Sequence, residues 1–176
     1  MPSDIYNTIE ILGDEVAGAQ VIDKTISEFK DNTLAYIGSY AFTSCQALSV
    51  AEFPNAMIIY QNAFANCGSL SSVSFPNASR IENSAFYYCS SLSSASFPSA
   101  AVIGSSAFFL CTNLTSITIG TRMNTVCILS SSNAFLKNGV GSIINPSLSI
   151  YVPSSLAAAY KIASNWSYFS TRIVGV

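Results

Sequence analysis

Four cysteines recur at a constant interval and carry the most reactive side chains of this sequence. They are spaced 22 residues apart, at Cys45, Cys67, Cys89 and Cys111. If the chain coils with that period, equivalent thiols of neighbouring coils lie about 5 Å apart, which approaches disulfide distance. The interval matches no zinc-ligand spacing, and the sequence has no histidine to assist. We therefore favour a ladder of buried thiols over disulfides or a bound metal.

The other titratable residues do not form a pattern typical of a catalytic centre. Without histidine the chain cannot build a Ser-His-Asp or Cys-His arrangement or an imidazole zinc site. Paired-acid catalysis needs converging carboxylates, but Glu52 and Glu82 occupy different parts of the sequence pattern and all other acids precede residue 32. Cys127, off the 22-residue interval, is a reactive candidate only if its thiol is exposed. We predict no enzymatic activity, no cofactor and no metal site.

Composition narrows the classes of partner. Seven basic and nine acidic side chains give a net charge of −2, which leaves no electrostatic footprint for nucleic acid or an anionic membrane. Only 9% of residues are charged, and the polarity comes from 31 serines instead. Residues 83–121 carry no charge, but Ser, Asn and Pro interrupt them, so no stretch approaches the roughly 18 apolar residues of a spanning helix. The first residues also lack the basic and apolar regions of a secretory signal.

A repeated pattern explains the spacing of the cysteines. Each of four copies opens on Ile, continues with Ala-Phe, Cys and Leu, and closes on Phe or Ile. The opening residues are Ile37, Ile59, Ile81 and Ile103, and the closing residues are Phe53, Phe75, Phe97 and Ile119. One coil of 22 residues cannot bury its apolar face alone, whereas stacked coils share a continuous core. We predict an α/β solenoid, a right-handed array of such coils with short parallel strands and irregular or short helical returns.

The pattern also divides the chain. The Leu-x-x-Val/Ala/Ile-x-Phe segments predict short strands that the following proline ends, and the Ala-Phe segments return the chain to the next strand. Residues 1–20 are an N-terminal cap or docking segment, and residues 21–120 are one partial coil and four regular repeats. Residues 121–176 are a divergent fifth coil, with two insertions, and a C-terminal cap. In that cap we expect a short helix with Ser154 as its N-cap.

Two outward surfaces are candidates for binding. The strand face presents short hydroxyl side chains and one acid, at Glu52, Ser72, Ser74, Ser94, Ser96, Ser116 and Thr118. A solvated sheet face is the favoured interpretation, and contact with sugar hydroxyls or ice is a weaker alternative because no aromatic anchor accompanies them. The return segments carry large apolar residues at Tyr87, Tyr88, Phe109 and Leu110. Facing outward they form our preferred protein-contact patch; the alternative is that one residue of each pair packs inward.

The repeats Leu-x-x-Ile-x-Phe-Pro and Ile-Gly-x-x-Ala-Phe-x-x-Cys-x-x-Leu resemble the BspA-type leucine-rich repeats of bacterial surface proteins. The ending IYVPSSLAAAYKIASNWSYFSTRIVGV is similar to the unit that often closes such arrays, so the resemblance covers residues 21–176. It implies a non-enzymatic recognition module, often on a cell surface and sometimes used in adhesion to host proteins.

The alternative function is a structural component of a cell-surface or phage-associated assembly, docked through residues 1–20. A protein partner is expected in the first case, and self-association stays open in the second. The resemblance implies an extracellular location, whereas the sequence shows no signal peptide, so we assign no localisation.

Overall fold

A computed structural model of the protein describes residues 24–135 and 144–176. Over these residues the chain winds into stacked coils that contribute strands to two parallel sheets. The strands of sheet A are β1 (Glu28–Lys30), β3 (Val50–Glu52), β5 (Ser72–Ser74), β7 (Ser94–Phe97), β9 (Ser116–Ile119), β11 (Ser149–Val152) and β12 (Ile173–Gly175). The strands of sheet B are β2 (Tyr36–Ile37), β4 (Ile58–Ile59), β6 (Arg80–Ile81), β8 (Val102–Ile103) and β10 (Ile128–Leu129).

Neighbouring strands within each sheet belong to successive coils. Sheet A has the order β1-β3-β5-β7-β9-β11-β12, and sheet B has the order β2-β4-β6-β8-β10. Equivalent residues pair directly, so Ile81 lies beside Ile103. Ile117 still pairs with Ile150 although the insertions lengthen the fifth coil. The predicted solenoid is therefore confirmed, but sheet B was not predicted, because its strands are two residues long and lie where the sequence suggested only the start of a return.

Phenylalanine forms two parallel columns inside the coils. In the return column, Phe64 stacks on Phe86 with ring centroids 5.1 Å apart, close to the strand spacing. In the strand column, Phe75 stacks on Phe97 at 5.8 Å. The two columns meet at tilted angles, as between Phe75 and Phe86. The return column has a ring in every coil from Phe42 to Phe135, whereas Ile119 ends the strand column of rings after Phe97, so the aromatic core is continuous along the returns.

The return segments, residues 40–45, 62–67, 84–89 and 106–111, close the third side of each coil. Their backbones also hydrogen-bond from coil to coil: the N–H of Phe64 donates to the carbonyl of Ala85, and that of Phe86 donates to Ala107, both at 2.8 Å. Two residues of each return have positive φ, in the left-handed region. These residues are Tyr40, Ser44, Asn62, Asn66, Ser84, Tyr88, Ser106 and Leu110. These left-handed residues keep the backbone irregular, while its N–H and C=O groups stay hydrogen-bonded.

The C-terminal cap consists of a 3-10 helix (Ser154–Leu156), helix α1 (Ala157–Ile162), a second 3-10 helix (Trp166–Arg172) and β12. The predicted short helix is present, but Ser154 as its N-cap is wrong. Ser154 already lies inside the first 3-10 turn, and no side chain caps either helix start, because Pro153 and Leu156 occupy those positions. Within the described ranges no helix combines the length and apolar character that crossing a bilayer requires. Residues 1–20 and part of the second insertion lie outside the described residues.

Candidate functional site

The periodic cysteines line the interior. All five cysteines of the chain are buried, and none forms a disulfide. The thiol of Cys67 donates to the carbonyl of Phe42, and that of Cys89 to Phe64, each at 3.1 Å. The thiols of Cys67, Cys89 and Cys111 therefore bond to a backbone carbonyl of the preceding coil as well as filling space, and the predicted interior ladder is what the structure contains.

Burial keeps three of these thiols protonated at neutral pH. Desolvation raises the pKa of Cys67 and of Cys89 well above the ordinary thiol value. It also raises the pKa of Cys127 to about 12. Since the thiolate is the nucleophile and metal ligand, none of these three groups is activated. Cys127 is only 1% exposed, so the condition for reactivity set by the sequence is not met.

The two acids of the repeat region lie on different faces, as the sequence predicted. Glu52 lies on the exposed face of sheet A, where its carboxylate is 3.2 Å from the Lys30 ammonium group. Glu82 follows β6 of sheet B and pairs with Arg80 at 2.7 Å. Among the residues described, no group of three or more His, Cys, Asp or Glu side chains is arranged to hold a metal ion. Glu52 and Glu82 thus each form an ion pair at the surface.

The outer face of sheet A is concave. An open groove of about 490 Å³ crosses β3, β5, β7 and β9, and all seven strand-face candidates line it. A neighbouring row of hydroxyl side chains bonds to the backbone of the preceding coil. The hydroxyl of Ser93 donates to the carbonyl of Ser71 at 3.0 Å, and that of Thr115 donates to the carbonyl of Ser93 at 3.2 Å. Hydroxyl side chains thus line most of the groove, and the Lys30 ion pairs with Glu28 and Glu52 lie at its first strands.

The return patch, defined as Tyr87, Tyr88, Phe109 and Leu110, lies outside the core. The rings of Tyr87 and Phe109 stack with centroids 5.8 Å apart and planes within 10°. Tyr88 is 46% exposed, and the other three residues are half-buried. None of the four joins the phenylalanine columns. The structure therefore places these side chains together on the third side of the solenoid, across two adjacent coils.

Two members of the return patch adopt a backbone conformation that their side chains disfavour. Tyr88 has φ of 57° and Leu110 has φ of 63°. For a residue with a bulky side chain this left-handed region costs roughly 1–2 kcal/mol, whereas Asn is tolerated there more easily. The equivalent residue one coil before Tyr88 is Asn66, with φ of 61°. That asparagine was the sequence signal for the turn, and the larger residues of the next two coils concealed it.

The outer face of sheet B is a third surface, which the sequence did not predict. One outward row crosses all five strands, from one end of the sheet to the other. It consists of Tyr36, Ile58, Arg80, Val102 and Ile128. Ile128 is 63% exposed and Tyr36 is 39% exposed. The residue that precedes each opening Ile or Leu129 was the available signal, but an alternating pattern cannot be read from two-residue strands.

Stacked coils with short parallel strands, an interior of Leu, Ile and Phe, and irregular returns define a leucine-rich repeat solenoid. The family model described as "BspA type Leucine rich repeat region" matches residues 24–143 with six copies. The chain belongs to this family. Proteins of this kind are commonly interaction or surface modules and are typically not enzymes.

One solved structure shows the same fold, and two others are less similar. The chain is similar to the leucine-rich repeat protein of T. pallidum, with a TM-score of 0.62 and 22% identity over 77% of this chain. A leucine-rich repeat protein from Bacteroides ovatus has a TM-score of 0.42 and 19% identity, over 73% of this chain and 49% of its own. The pneumococcal vaccine antigen PcpA has a TM-score of 0.47 and 16% identity, over 89% of this chain and 44% of its own. The chain spans 63% of the T. pallidum protein. No curated protein sequence matches it.

Proposed function

We propose that this chain is a non-enzymatic protein-interaction module, acting in adhesion, and that the return patch is its contact surface. The observation that carries this proposal is the left-handed backbone at Tyr88 and Leu110. Tyr88 and Leu110 occupy, in two successive coils, the position that Asn66 occupies in the coil before them. The left-handed backbone at these two large residues lowers the stability of the fold. Their retention outside the core supports a role in binding rather than in folding.

The chemistry of the patch suggests what it binds. Aromatic side chains dominate protein interaction hot spots because they bury a large area with few rotatable bonds. The patch lies within residues 83–121, which carry no charge. A highly charged partner would lose solvation without gaining an ion pair here, so we expect a neutral, apolar protein surface. Binding of this kind is nearly independent of salt.

Differential capture tests the proposal. The immobilised full chain is compared with the double variant Tyr88→Ser/Phe109→Ser and with a control, Val50→Ser/Tyr151→Ser, which removes apolar area from sheet A instead. We expect a surface protein that the wild type and the control retain, that the double variant loses, and that stays bound in about 1 M NaCl. The same proteins on all three chains would contradict the proposal. Loss from the control alone would assign binding to the groove of sheet A.

The alternative function, a structural component of a larger assembly, draws its support from the charge distribution. Residues 1–20 contain four of the nine acids and no basic residue, so this N-terminal segment differs in chemistry from the sparsely charged repeats. Such a segment suits docking to a basic partner through charge. This alternative predicts that capture depends on residues 1–20, weakens steeply with salt and is unaffected by Tyr88→Ser/Phe109→Ser.

A further inference from the structure

The C-terminal cap exposes more apolar surface than the end of an array needs. A terminal unit that only shields a solenoid from water has a polar outer face. Four of the nine large hydrophobic residues that are exposed in the described part of the chain lie in this cap, namely Ile162, Tyr168, Val174 and Val176. Ile162, the last residue of α1, is 83% exposed, the largest value of the nine. The cap thus has the character of a surface that another molecule covers.

The same cap carries cations that have no acidic partner. Lys161 precedes Ile162 in α1 and is exposed, and Arg172 ends the second 3-10 helix, where its guanidinium group donates to the carbonyl of Pro146. No Asp or Glu follows Glu82 in the sequence, and among the described residues neither cation forms an ion pair. The cap is therefore basic as well as apolar.

Charge is separated along the whole chain. Residues 1–52 contain eight acids and two lysines, and residues 53–120 contain one acid and one arginine. Residues 121–176 contain four basic residues and no acid. In the described ranges β1 and β12 are the outermost strands of sheet A, six strand spacings or about 29 Å apart. The chain is thus acidic before and around β1, and basic around β12.

Residues 1–20 match the cap in both respects. They contain four acids and no base, together with apolar residues such as Ile9, Ile11 and Leu12. To reach the cap of its own chain, this segment would have to run back along the stack and spend about nine extended residues on the distance. A second copy stacked in the same direction brings its acidic segment to the cap directly, because its β1 end then follows the β12 end of the first copy.

We propose that the C-terminal cap binds residues 1–20 of a second copy of this chain, so that copies associate head to tail. The proposal is separate from the return patch and rests on the alternative function above, for which it names the basic partner. A contact of this kind uses a different surface on each copy, so it adds copies beyond two instead of closing as a two-fold dimer. Because its charges are exposed, the contact is weak and is lost as salt rises.

Sedimentation of the purified full chain over a range of concentrations measures this association. Wild type grows from monomer to species larger than a dimer, and about 1 M NaCl returns it to monomer. Lys161→Glu and Ile162→Ser each lower the association constant about tenfold. The matched controls Arg122→Glu and Ile128→Ser make the same changes outside the cap and associate like wild type, because Arg122 reaches back to the Pro76 carbonyl and Ile128 lies on sheet B.

Charge reversal on both sides gives a reciprocal test. Glu10→Lys/Asp14→Lys/Glu15→Lys makes the N-terminal segment basic, and Lys161→Glu/Arg172→Glu makes the cap acidic. Each variant alone sets like charges against each other and stays monomeric. An equimolar mixture regains association, because the basic segment of the first variant binds the acidic cap of the second. Circular dichroism checks that the cap variant is folded, and Lys161→Glu alone replaces it if the loss of the Arg172 bond unfolds the cap.

Each remaining outcome overturns the proposal. A wild type that stays monomeric throughout excludes the second copy, and capture then decides separately whether residues 1–20 dock on a different basic partner. Association that stops at a dimer contradicts the head-to-tail arrangement. Cap variants that associate like wild type assign the contact to another surface, and Tyr88→Ser/Phe109→Ser then shows whether it is the return patch. A mixture that associates no better than its components excludes the pairing of segment and cap.

Discussion

The regular coils and the C-terminal cap satisfy the same backbone groups by different means. In the coils, backbone N–H groups that point along the stack donate to a carbonyl of a neighbouring coil, as Phe86 does to Ala107 at 2.8 Å. Next to the cap, both backbone groups of Cys127 have side-chain partners. The N–H of Cys127 donates to the hydroxyl of Tyr160 at 2.9 Å, and the Cys127 carbonyl accepts from the indole nitrogen of Trp166 at 2.6 Å. Repetition supplies partners automatically, whereas an end must supply each one individually.

The aromatic core shows the same contrast. Along the array each ring stacks on its counterpart in nearly parallel planes, as far as the pair Phe108 and Phe135 at 5.4 Å. There the column meets Phe169 edge-on, at 5.3 Å and 89°. An edge-to-face contact covers the last ring without presenting a new face for stacking. The cap therefore ends the column as well as covering it.

The largest expected effects come from removing one ring in each region. Phe86→Ala opens a cavity in the middle of the array, and Trp166→Ala opens one at the cap, so each lowers the free energy of unfolding by about 3–5 kcal/mol. Because Trp166 also donates to Cys127, we expect Trp166→Ala to cost at least as much as Phe86→Ala. Urea denaturation followed by circular dichroism measures both. A loss below about 1 kcal/mol for Trp166→Ala would show that the cap only covers the array.

A smaller change isolates the hydrogen bond of the cap. Tyr160→Phe keeps the buried ring but leaves the N–H of Cys127 without its acceptor, so it lowers the free energy of unfolding by about 1–3 kcal/mol. Tyr88→Phe removes a hydroxyl from an exposed ring and serves as the control, with a change within about 0.5 kcal/mol. Equal effects for the two variants would mean that water replaces the Tyr160 hydroxyl.

High pH acts on both regions through the buried thiols. Burial raises the pKa of Cys67, Cys89 and Cys127 above the ordinary value of 9.0, so the unfolded chain ionises first. The contribution of these thiols to the free energy of unfolding is fully present below about pH 9. As pH rises above that value, the free energy of unfolding falls by about 1.4 kcal/mol per pH unit for each such thiol. Urea midpoints between neutral pH and pH 11 measure the slope. Cys127→Ala removes one share of it; an unchanged slope would show that Cys127 ionises equally in both states.

The smallest expected effect compares two coils at one position. Leu110→Asn relieves the left-handed strain and raises the free energy of unfolding by about 1 kcal/mol, while Asn66→Leu lowers it by a similar amount. Differences in the urea midpoint measure both. If Leu110→Asn destabilises the chain, packing of the leucine side chain outweighs the strain, and the backbone would no longer support a binding role for the return patch.

The parts of the fold that repeat were predictable, and the parts that occur once were not. The spacing of Phe42, Phe64 and Phe86 predicts the coil and its core, because one residue type must fill one place in every coil. Sheet B was not predicted from the sequence because its strands are two residues long. The bonds of Cys127 join residues more than 30 positions apart, and no local pattern encodes them.

The candidate surfaces also have features that the sequence predicted and features that it did not. The return patch was predicted because large residues stand out where earlier coils have Thr43, Ser44, Ala65 and Asn66. Its strained backbone was hidden, since no rule of sequence expects Leu110 at positive φ. The outward row of sheet B was also hidden, because strands of two residues show no alternating pattern.

Backbone ladders on all three sides of the coil have a mechanical consequence. A force applied along the stack loads one coil boundary at a time, because each coil bonds only to its neighbours. A released coil of 22 residues adds about 75 Å of extended chain in place of the roughly 5 Å that it occupied. Pulled from its ends, the molecule would lengthen in equal steps over its regular coils and absorb work at each one, as an extensible tether does.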